Sequence, residues 1–295
     1  MAYTPKRIVA VDSQKLDALA SCMYMYKLKF GTPDPGETGK QPIIVPDYFE
    51  RGDLVHTLME AYYKMKAHRS RWKQNKRTHA DVVQAAINVA RWKASKMALD
   101  IAEVEMVIDA FLQYAEHFEN DNWTDSNIVF VEKVGSKVLY DDPALLILYE
   151  VKIDMGLKLN GNLTPVDHKS AKARRDPNAL SNQFRGYCWF LGANTLIVNE
   201  FGFQKTLKPA DKFRRLALQF SDNQLNEWVE NAIFWVKNGL ELIDRNYYPQ
   251  NFTSCDKYSG CIFKPTICQA DPEVRDYKLQ QFFKDRTWDV GGAHL

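Results

Sequence analysis

Apolar residues recur every three to four positions through the first 117 residues, a spacing that places them on one face of a helix. This periodicity predicts a helix over residues 13–30 with Ser13 as its N-cap, a second helix over 46–69, and two more between 80 and 117. The stretch 31–46 is rich in proline and glycine and predicts a loop. The N-terminal part of the chain is therefore expected to be mainly helical.

The pattern changes after residue 126, where apolar and polar residues begin to alternate as they do in β-strands. Strands are predicted over residues 128–133, 137–140, 195–203 and 213–220. Helical spacing returns over residues 176–191 and 221–245, and the tail from residue 271 is predicted to be a polar helix. This second part is therefore expected to combine strands with helices.

Residues 149–169 predict two strands joined by a tight turn. The dipeptide Asn160-Gly161 is typical of a two-residue hairpin loop, because both positions tolerate positive φ. With that loop, Asp154 is predicted to lie directly opposite Asp167, and Lys169 to share their face of the sheet. One face of the hairpin should then carry two carboxylates and an ammonium group.

Two carboxylates held this close repel each other unless a cation lies between them or one of them is protonated. Mg²⁺ is commonly bound by one or two carboxylates together with phosphate oxygens and water, and a neighbouring lysine can stabilise negative charge on a phosphate. The same residues could instead form a salt-bridged patch on a solvated sheet face. The hairpin by itself leaves both interpretations open.

Length and composition restrict the class of protein. The chain has 295 residues, enough for one large domain or two small ones, and a net charge of only +2. No window approaches the roughly 20 apolar residues of a membrane span, so no membrane association is expected. The N-terminus lacks the apolar core of a secretory signal, and five cysteines, an odd number, do not suggest a disulfide scaffold. We therefore expect a reduced, cytoplasmic setting.

Basic residues are concentrated in two segments of this nearly neutral chain. Residues 64–77 contain seven lysines and arginines and no acidic residue, and a second basic segment directly follows the hairpin. The first segment could be an ordinary solvated helix end, but a local positive field also suits phosphate groups. The basic residues of these segments that are candidates for contacting phosphates are Arg69, Arg71, Lys73, Lys172, Arg174 and Arg175.

Two pairs of residues with helical spacing are further candidates. Gly52 and His56 lie four apart and share a helix face; histidine is a frequent metal ligand, although a single histidine is more often structural. Gln183 and Tyr187 have the same spacing, and an amide beside a phenol can hydrogen-bond a substrate. Structurally, Gln183 could instead be a surface residue and Tyr187 a core residue.

Three cysteines, Cys255, Cys261 and Cys268, fall within fourteen residues near the C-terminus. Such a density rarely arises from packing alone, and it predicts a zinc or iron–sulfur site. Either site needs a fourth ligand, which Cys22 or Cys188 would supply through the fold.

In their order along the chain, these motifs resemble the PD-(D/E)XK nuclease superfamily, specifically its RecB/Cas4/AddB-like branch, from about residue 13 to 268. The family's helical G-x-x-x-H, metal-binding aspartate, D-x-K signature and Q-x-x-x-Y helix match Gly52–His56, Asp154, Asp167–Lys169 and Gln183–Tyr187. Val151 departs from the family's usual glycine before the aspartate. The C-terminal cysteines, which resemble those of phage-encoded relatives, are spaced C-x₅-C-x₆-C instead of the better-known C-x₂-C-x₅-C.

The resemblance implies an α/β fold, with a restriction-endonuclease-like core in which a central mixed sheet is flanked by helices, plus an N-terminal helical region. It implies one integrated domain in three parts. Residues 1–125 would form the helical region, 126–250 the nuclease core, and 251–295 the cysteine-cluster segment and tail.

The resemblance also implies roles for single residues. Mg²⁺ or Mn²⁺ would be held by His56, Asp154, Asp167 and the backbone carbonyl of His168. The catalytic set would be Asp154, Asp167, Lys169, Gln183 and Tyr187. A [4Fe–4S] cluster, or Zn²⁺ in its place, would be bound by Cys22, Cys255, Cys261 and Cys268, which leaves Cys188 as an ordinary core residue.

The implied function is a metal-dependent DNA nuclease, with an exonuclease expected, in DNA recombination, repair or phage DNA processing. It would act in the cytoplasm of a bacterium or of a phage-infected cell. DNA would be its substrate, and a recombinase, a single-strand-binding protein or a helicase its partner. Two other functions fit the same residues: a DNA-binding protein of this fold without activity, and a non-enzymatic cysteine-cluster module.

Overall fold

The computed structural model describes residues 6–32, 38–68, 78–124, 126–171, 176–204, 207–256 and 260–290. Its α-helices are α1 Ser13–Ser21, α2 Met23–Phe30, α3 Asp47–Lys66, α4 His79–Ala94, α5 Ile101–His117, α6 Asn182–Leu191, α7 Pro209–Lys212, α8 Asp222–Asp244 and α9 Arg275–Phe282. Its strands are β1 Arg7–Val11, β2 Gly39–Pro42, β3 Ile128–Asp141, β4 Leu145–Leu159, β5 Asn162–Ala171, β6 Thr195–Gly202, β7 Phe213–Gln219 and β8 Phe283–Arg286. None of the described helices is long and apolar enough to cross a membrane.

A mixed sheet flanked by helices forms the centre of the protein, which confirms the predicted fold class. The strand order is β1-β4-β5-β6-β7, with β3 also paired to β4. Strand β3 lies along one edge of β4, whereas β1 and β5 share the other edge: β1 pairs with residues 145–149 and β5 with residues 155–159. Among the described strands, residues 150–154 therefore have no ladder partner on that second edge.

Helices cover both faces of the sheet and bury two apolar clusters. On one face, α3, α4 and α5 pack around Leu58, Phe111 and Val166, a cluster that we call the α3–α5 core. On the other face, α1, α2, α6 and α8 pack around Tyr149 and Trp228, which we call the α6–α8 core. Burying each large apolar side chain contributes about 1.5–3 kcal/mol, so these two clusters provide the main stabilisation of the sheet.

The hairpin of β4 and β5 has the predicted turn. Asn160 and Gly161 have φ angles of 49° and 85°, and the ladder begins at the pair Leu159–Asn162. The ladder ends at the pair Met155–Val166, one step before the predicted pairing of Asp154 with Asp167. That pairing was therefore wrong as a ladder contact, because the two strands diverge at this point.

Strand β4 is irregular at Asp154. Residues two apart in a regular strand share a face, yet Ile153 packs in the α6–α8 core and Met155 in the α3–α5 core. The residue of β3 that lies across from Asp154 is Glu132, which has a φ of 57°. Both strands thus depart from regular geometry beside the carboxylate, and the alternating pattern of the sequence does not reveal it.

The predicted helix 13–30 is broken at Cys22, whose backbone is extended with φ −161° and ψ 110°. Contacts with the C-terminal part of the chain explain the break: the Tyr24 N–H donates to the Pro249 carbonyl, and the Asn251 N–H lies 3.5 Å from Cys22 Sγ. The N-cap of α1 is Asp12 and not Ser13, since its carboxylate accepts the Lys15 N–H at 2.8 Å.

Other differences also arise from pairing between distant segments. Strand β1 was not predicted; β2 lies in the predicted loop 31–46 and pairs with β8 in the predicted helical tail. The two predicted strands at 128–133 and 137–140 form one continuous strand, β3. Helix α6 begins at Asn182 behind its cap Ser181, not near residue 176.

Candidate active site

The candidate site lies where β5 leaves β4 at the end of the hairpin ladder and continues beside β6. Two side chains satisfy main-chain groups that the divergence leaves without ladder partners. Asp154 Oδ2 accepts the His168 N–H at 2.7 Å, and the Tyr187 hydroxyl donates to the Lys152 carbonyl. We call this opening the strand fork. It concentrates polar side chains inside an otherwise apolar sheet.

Asp154 is ionised in the strand fork although it is 7% exposed. Its Oδ1 lies 3.5 Å from His56 Nδ1. Burial alone would raise the pKa of this carboxyl, but the ion pair with His56 and the hydrogen bond from the His168 N–H outweigh it. The pKa of Asp154 therefore lies well below its usual value.

Asp167 is fully buried and carries the opposite shift. Lys169 Nζ lies 2.9 Å from Oδ2 and 3.2 Å from Oδ1, but its hydrogen bond is directed to Oδ1, so the buried Oδ2 has no donor among the described residues. Burial raises the pKa of Asp167 to about 6, with Lys169 opposing and Asp154 reinforcing the shift. Two neighbouring carboxyls with opposite pKa shifts are typical of functional sites.

Gln183 and Tyr187 reach this site from α6. Gln183 Oε1 accepts a hydrogen bond from Lys169 Nζ at 2.8 Å, and its Nε2 donates to the Tyr187 hydroxyl at 2.9 Å. Gly186 allows α6 to approach β4 closely, because a Cβ at this position would lie 1.9 Å from the Tyr149 hydroxyl oxygen. The structure thus brings the predicted amide and phenol together with the predicted lysine.

His56 reaches Asp154 from α3, and its side chain is 38% exposed, so the imidazole remains accessible from outside. Burial lowers the pKa of His56, but Asp154 raises it by more, and the net direction is upward. Gly52, one turn earlier, is not required for packing. A Cβ there would meet only Ser170 Oγ, at an ordinary distance of 3.8 Å.

The side chain of His168 and several residues that the sequence did not mark also line the fork. The buried His168 ring lies 2.8 Å from Asn199 Nδ2 and stacks on Tyr63 with 5.5 Å between ring centroids. Burial, reinforced by nearby cations, lowers the pKa of His168 to about 4. Glu132 pairs with Lys152 at 2.7 Å. No local spacing could have identified Asn199, Tyr63 or Glu132, since strand register and helix packing bring them to the fork.

The donor set fits a hard divalent cation. Such ions prefer oxygen ligands, and the buried Asp167 Oδ2, which has no hydrogen-bond donor among the described residues, lies near the carboxylate of Asp154. In the part of the chain that the structure describes, no three His, Cys, Asp or Glu side chains are arranged to hold a metal ion. Binding would therefore draw His56, Asp154 and Asp167 closer together than they lie here.

The residues predicted to contact phosphates lie outside the described residues. They are Arg69, Arg71, Lys73, Lys172, Arg174 and Arg175. Their assignment as nucleic-acid contacts stays a prediction.

Four of the five cysteines lie near one another at the junction of α1 and α2 with the C-terminal segment. Burial and, to a smaller extent, the thiols of Cys261, Cys255 and Cys22 together raise the pKa of Cys268 to about 11. The Cys261 N–H also donates to the Cys255 carbonyl at 2.7 Å. Cys188 is separate: it is buried in the α6–α8 core, where burial raises its pKa to about 12.

Comparison with known proteins identifies the family. The model of the PD-(D/E)XK nuclease superfamily matches residues 13–269. The chain belongs to the PD-(D/E)XK nuclease superfamily, which is a class of nuclease hydrolases.

Comparisons with solved structures and curated proteins add little to the family assignment. The chain is similar to the structure of a "Putative exonuclease" from Eubacterium rectale, with 12% identity, a TM-score of 0.46, and coverage of 90% of this chain and 91% of the other. It is also similar to SSO0001, with 10% identity, a TM-score of 0.38, and coverage of 89% and 86%. None of the curated proteins matches the sequence.

Proposed function

We propose that this protein is a deoxyribonuclease that requires Mg²⁺ or Mn²⁺ and degrades DNA from its ends. The strand fork carries this proposal, because it joins the ionised Asp154, the buried carboxyl of Asp167 and the ammonium group of Lys169, which lies 2.9 Å from Asp167 Oδ2. Membership of a nuclease superfamily supports hydrolysis of a phosphodiester bond. The motif order supports the RecB/Cas4/AddB-like branch, in which DNA is the substrate.

His56, Asp154, Asp167 and the His168 carbonyl would hold the divalent ion. When bound, the ion neutralises charge on the scissile phosphate and makes water more acidic. Lys169 orients the attacking water and donates to the phosphate oxygen that gains negative charge. Gln183 accepts a hydrogen bond from Lys169 and Tyr187 supports Gln183, so both keep the ammonium group directed into the fork.

The reaction forms a bond between the water oxygen and phosphorus while the bond from phosphorus to one sugar oxygen breaks. The products are a phosphate monoester and a sugar hydroxyl. A proton from the water passes to the departing sugar oxygen. Contacts with backbone phosphates position a strand without reading its sequence. The basic residues that would make these contacts are Arg69, Arg71, Lys73, Lys172, Arg174 and Arg175.

The cellular role that agrees with this chemistry is DNA recombination, repair or phage DNA processing in the cytoplasm. A recombinase, a single-strand-binding protein or a helicase would deliver the DNA end.

The direct test is digestion of end-labelled linear DNA and closed circular DNA with Mg²⁺, with Mn²⁺, or with EDTA. We expect metal-dependent release of label from linear DNA, no loss of the circle, and no activity in EDTA. The Lys169→Met variant, purified in parallel, excludes a contaminating nuclease. Loss of circular DNA would indicate an endonuclease, and DNA binding without cleavage under any metal condition would indicate an inactive protein of this fold.

We expect His56→Ala to lower the cleavage rate by roughly 10–100-fold, with partial recovery at high Mn²⁺, because a ligand to the ion is lost. The melting temperature should change little, since the side chain is partly exposed. His79→Ala is a matched control: His79 Nδ1 also lies 3.5 Å from a carboxylate, that of Glu119. Equal losses of activity in both variants would contradict a specific role for His56.

We further propose that Cys22, Cys255, Cys261 and Cys268 bind a [4Fe–4S] cluster. Four neighbouring thiols match the ligand count of such a cluster, and it would tie the junction of α1 and α2 to the C-terminal segment. A link between residues so distant in sequence stabilises mainly by restricting the unfolded chain.

Protein purified without oxygen should then be brown, with broad visible absorption. Cys22→Ser should bleach it and lower the free energy of unfolding by about 2–5 kcal/mol, the range for losing a comparable covalent link. Cys188→Ser should keep the colour. Colourless protein with one equivalent of zinc would replace the cluster by a zinc site, whereas metal-free protein of full stability would show that these are ordinary reduced thiols.

A further inference from the structure

A row of polar residues crosses three neighbouring strands directly behind the strand fork. His168 on β5 is paired with Asn199 on β6, which is in turn paired with Arg215 on β7. His168 is 2% exposed and Asn199 is fully buried. The row lies on the sheet face that α3 and α5 cover, so these polar groups depend on one another and on those helices for hydrogen bonds.

Hydrogen bonds connect the whole row. Asn199 Nδ2 donates to His168 Nδ1 at 2.8 Å and to the Tyr114 hydroxyl at 2.9 Å. The Tyr114 and Tyr63 hydroxyls share a hydrogen bond of 2.6 Å, and Arg215 Nη2 donates to the Tyr63 hydroxyl at 3.1 Å. The two tyrosines thus close a circuit above the sheet, from the imidazole to the guanidinium.

Charged groups anchor the far end of this circuit. Asp121 accepts from Arg215 and from Lys66, each at 2.5 Å, and all three side chains are largely buried. The Arg215 guanidinium also lies over the Trp123 ring at 3.4 Å. Buried ion clusters often stabilise a fold no more than apolar residues of the same volume would. In some proteins they instead define one geometry, and a positioning role of that kind agrees with the contacts of this cluster.

The circuit holds the His168 ring in one orientation. Asn199 Nδ2, which can only donate, faces Nδ1 of the imidazole, and the buried Nε2 has no hydrogen-bond partner among the described residues. Tyr63 covers the ring face at an interplanar angle of 7°. The His168 side chain is therefore held by Asn199 at one ring nitrogen and by Tyr63 on one ring face.

We propose that Asn199 is a positioning residue for the metal site, acting through His168. On the β4 side, no ladder bond holds the segment 167–169, because the ladder has ended. Its link to β4 is the bond from the His168 N–H to Asp154 Oδ2. A ring held by Asn199 keeps that N–H directed at Asp154, and with it the orientation of two candidate metal-binding groups. The role rests on the proposed metal site.

The test compares Asn199→Leu, Tyr114→Phe and Tyr63→Phe with Tyr62→Phe. Tyr62 is the matched control, since it is equally buried on α3 but its hydroxyl pairs with His79 outside the circuit. Mn²⁺ affinity is measured by titration without DNA, and kcat and KM are measured separately. Tyr114→Phe is the gentler change if Asn199→Leu does not fold, because it removes only the hydroxyl.

We expect Asn199→Leu to weaken Mn²⁺ binding by roughly 10–100-fold, the usual effect of losing a residue that orients a ligand. kcat should fall, and KM for DNA should stay unchanged. Tyr114→Phe and Tyr63→Phe should shift Mn²⁺ affinity in the same direction, and Tyr62→Phe should not. Wild-type Mn²⁺ affinity in Asn199→Leu or in Tyr114→Phe, or equal effects of the two α3 variants, would overturn the proposal.

The outcomes also separate this role from the proposed function. Wild-type protein that binds Mn²⁺ without cleaving DNA would refute the nuclease activity, and the Asn199 proposal would still be decided by the affinities. Wild-type protein that binds no Mn²⁺ would refute both.

Discussion

We expect metal-free Asp167→Asn protein to melt at a higher temperature than the wild type at pH 8, and with Mn²⁺ to cleave DNA at least about a thousandfold more slowly. The loss of cleavage is large because metal-ion catalysis supplies several kcal/mol and each 1.4 kcal/mol is about a factor of ten in rate. The gain in stability arises because the substitution removes a buried carboxylate whose ionisation opposes folding.

The raised pKa of Asp167 determines the direction of this change in stability. Burial raises the pKa of Asp167 to about 6 from a usual 3.8, so the folded protein binds more protons than the unfolded chain between these values. Stability of the wild type therefore falls as pH rises through that window, and asparagine avoids the loss. The difference in unfolding free energy should be about 1–3 kcal/mol at pH 8 and should vanish below pH 4. Thermal melts in EDTA across this range measure it.

Asp154→Asn is the matched comparison, because it should lose the same activity with the opposite effect on stability. The pKa of Asp154 is depressed, so its contribution is present above pH 3.8 and is lost as pH falls through the folded pKa. This variant should therefore melt below the wild type at pH 8. A lower melting temperature for Asp167→Asn than for the wild type would contradict the raised pKa of Asp167. Retained cleavage in either variant would show that the substituted carboxylate is not part of the catalytic site.

Lys169→Met is expected to lower kcat by about 10²–10⁴-fold while Mn²⁺ binding changes little. The reason is that the ammonium group would act on the water and the phosphate and would not ligate the ion; losses of this size follow removal of such groups. Its position is well defined, since Gln183 Oε1 and Asp167 both hold it. Single-turnover cleavage and Mn²⁺ titration measure the two effects separately.

Lys158→Met is the control for this prediction, since Lys158 is an exposed lysine on the neighbouring strand β4, outside the fork. Its activity should match that of the wild type. If Lys169→Met bound Mn²⁺ as poorly as Asp167→Asn, the lysine would support the metal site and not the chemical step. Near-normal kcat would exclude it from catalysis.

Local sequence determined those elements whose stabilising contacts are close in the chain. Asn160 and Gly161 adopt positive φ, so the turn and the hairpin register follow from two residues. Helix α8 begins at the capping box of Ser221 and Gln224, and its apolar stripe matches its buried face. In each case the partners lie within a few residues, and no distant contact competes with them.

Predictions failed where distant segments pair. Strand β1 has five residues and no flanking turn signal, and its pairing with β4 defines it as a strand. The four-residue strands β2 and β8 likewise stabilise each other across most of the chain. The break at Cys22 follows from contacts with residues 249–251. Backbone hydrogen bonds to remote residues override local helical preference because they satisfy groups that would otherwise be buried without partners.

By itself, the sequence determined which residue types could form the site and the order of their motifs: two aspartates, a lysine, and a glutamine and tyrosine one helical turn apart. Only the tertiary structure decided how they meet. The strands diverge one step before Asp154 would pair with Asp167, and β4 changes face there. The hydrogen-bonded circuit next to His168 is likewise formed by three separate elements: β6 contributes Asn199, α3 contributes Tyr63 and α5 contributes Tyr114. Such contacts depend on sheet order and helix packing, and no spacing within one segment encodes them.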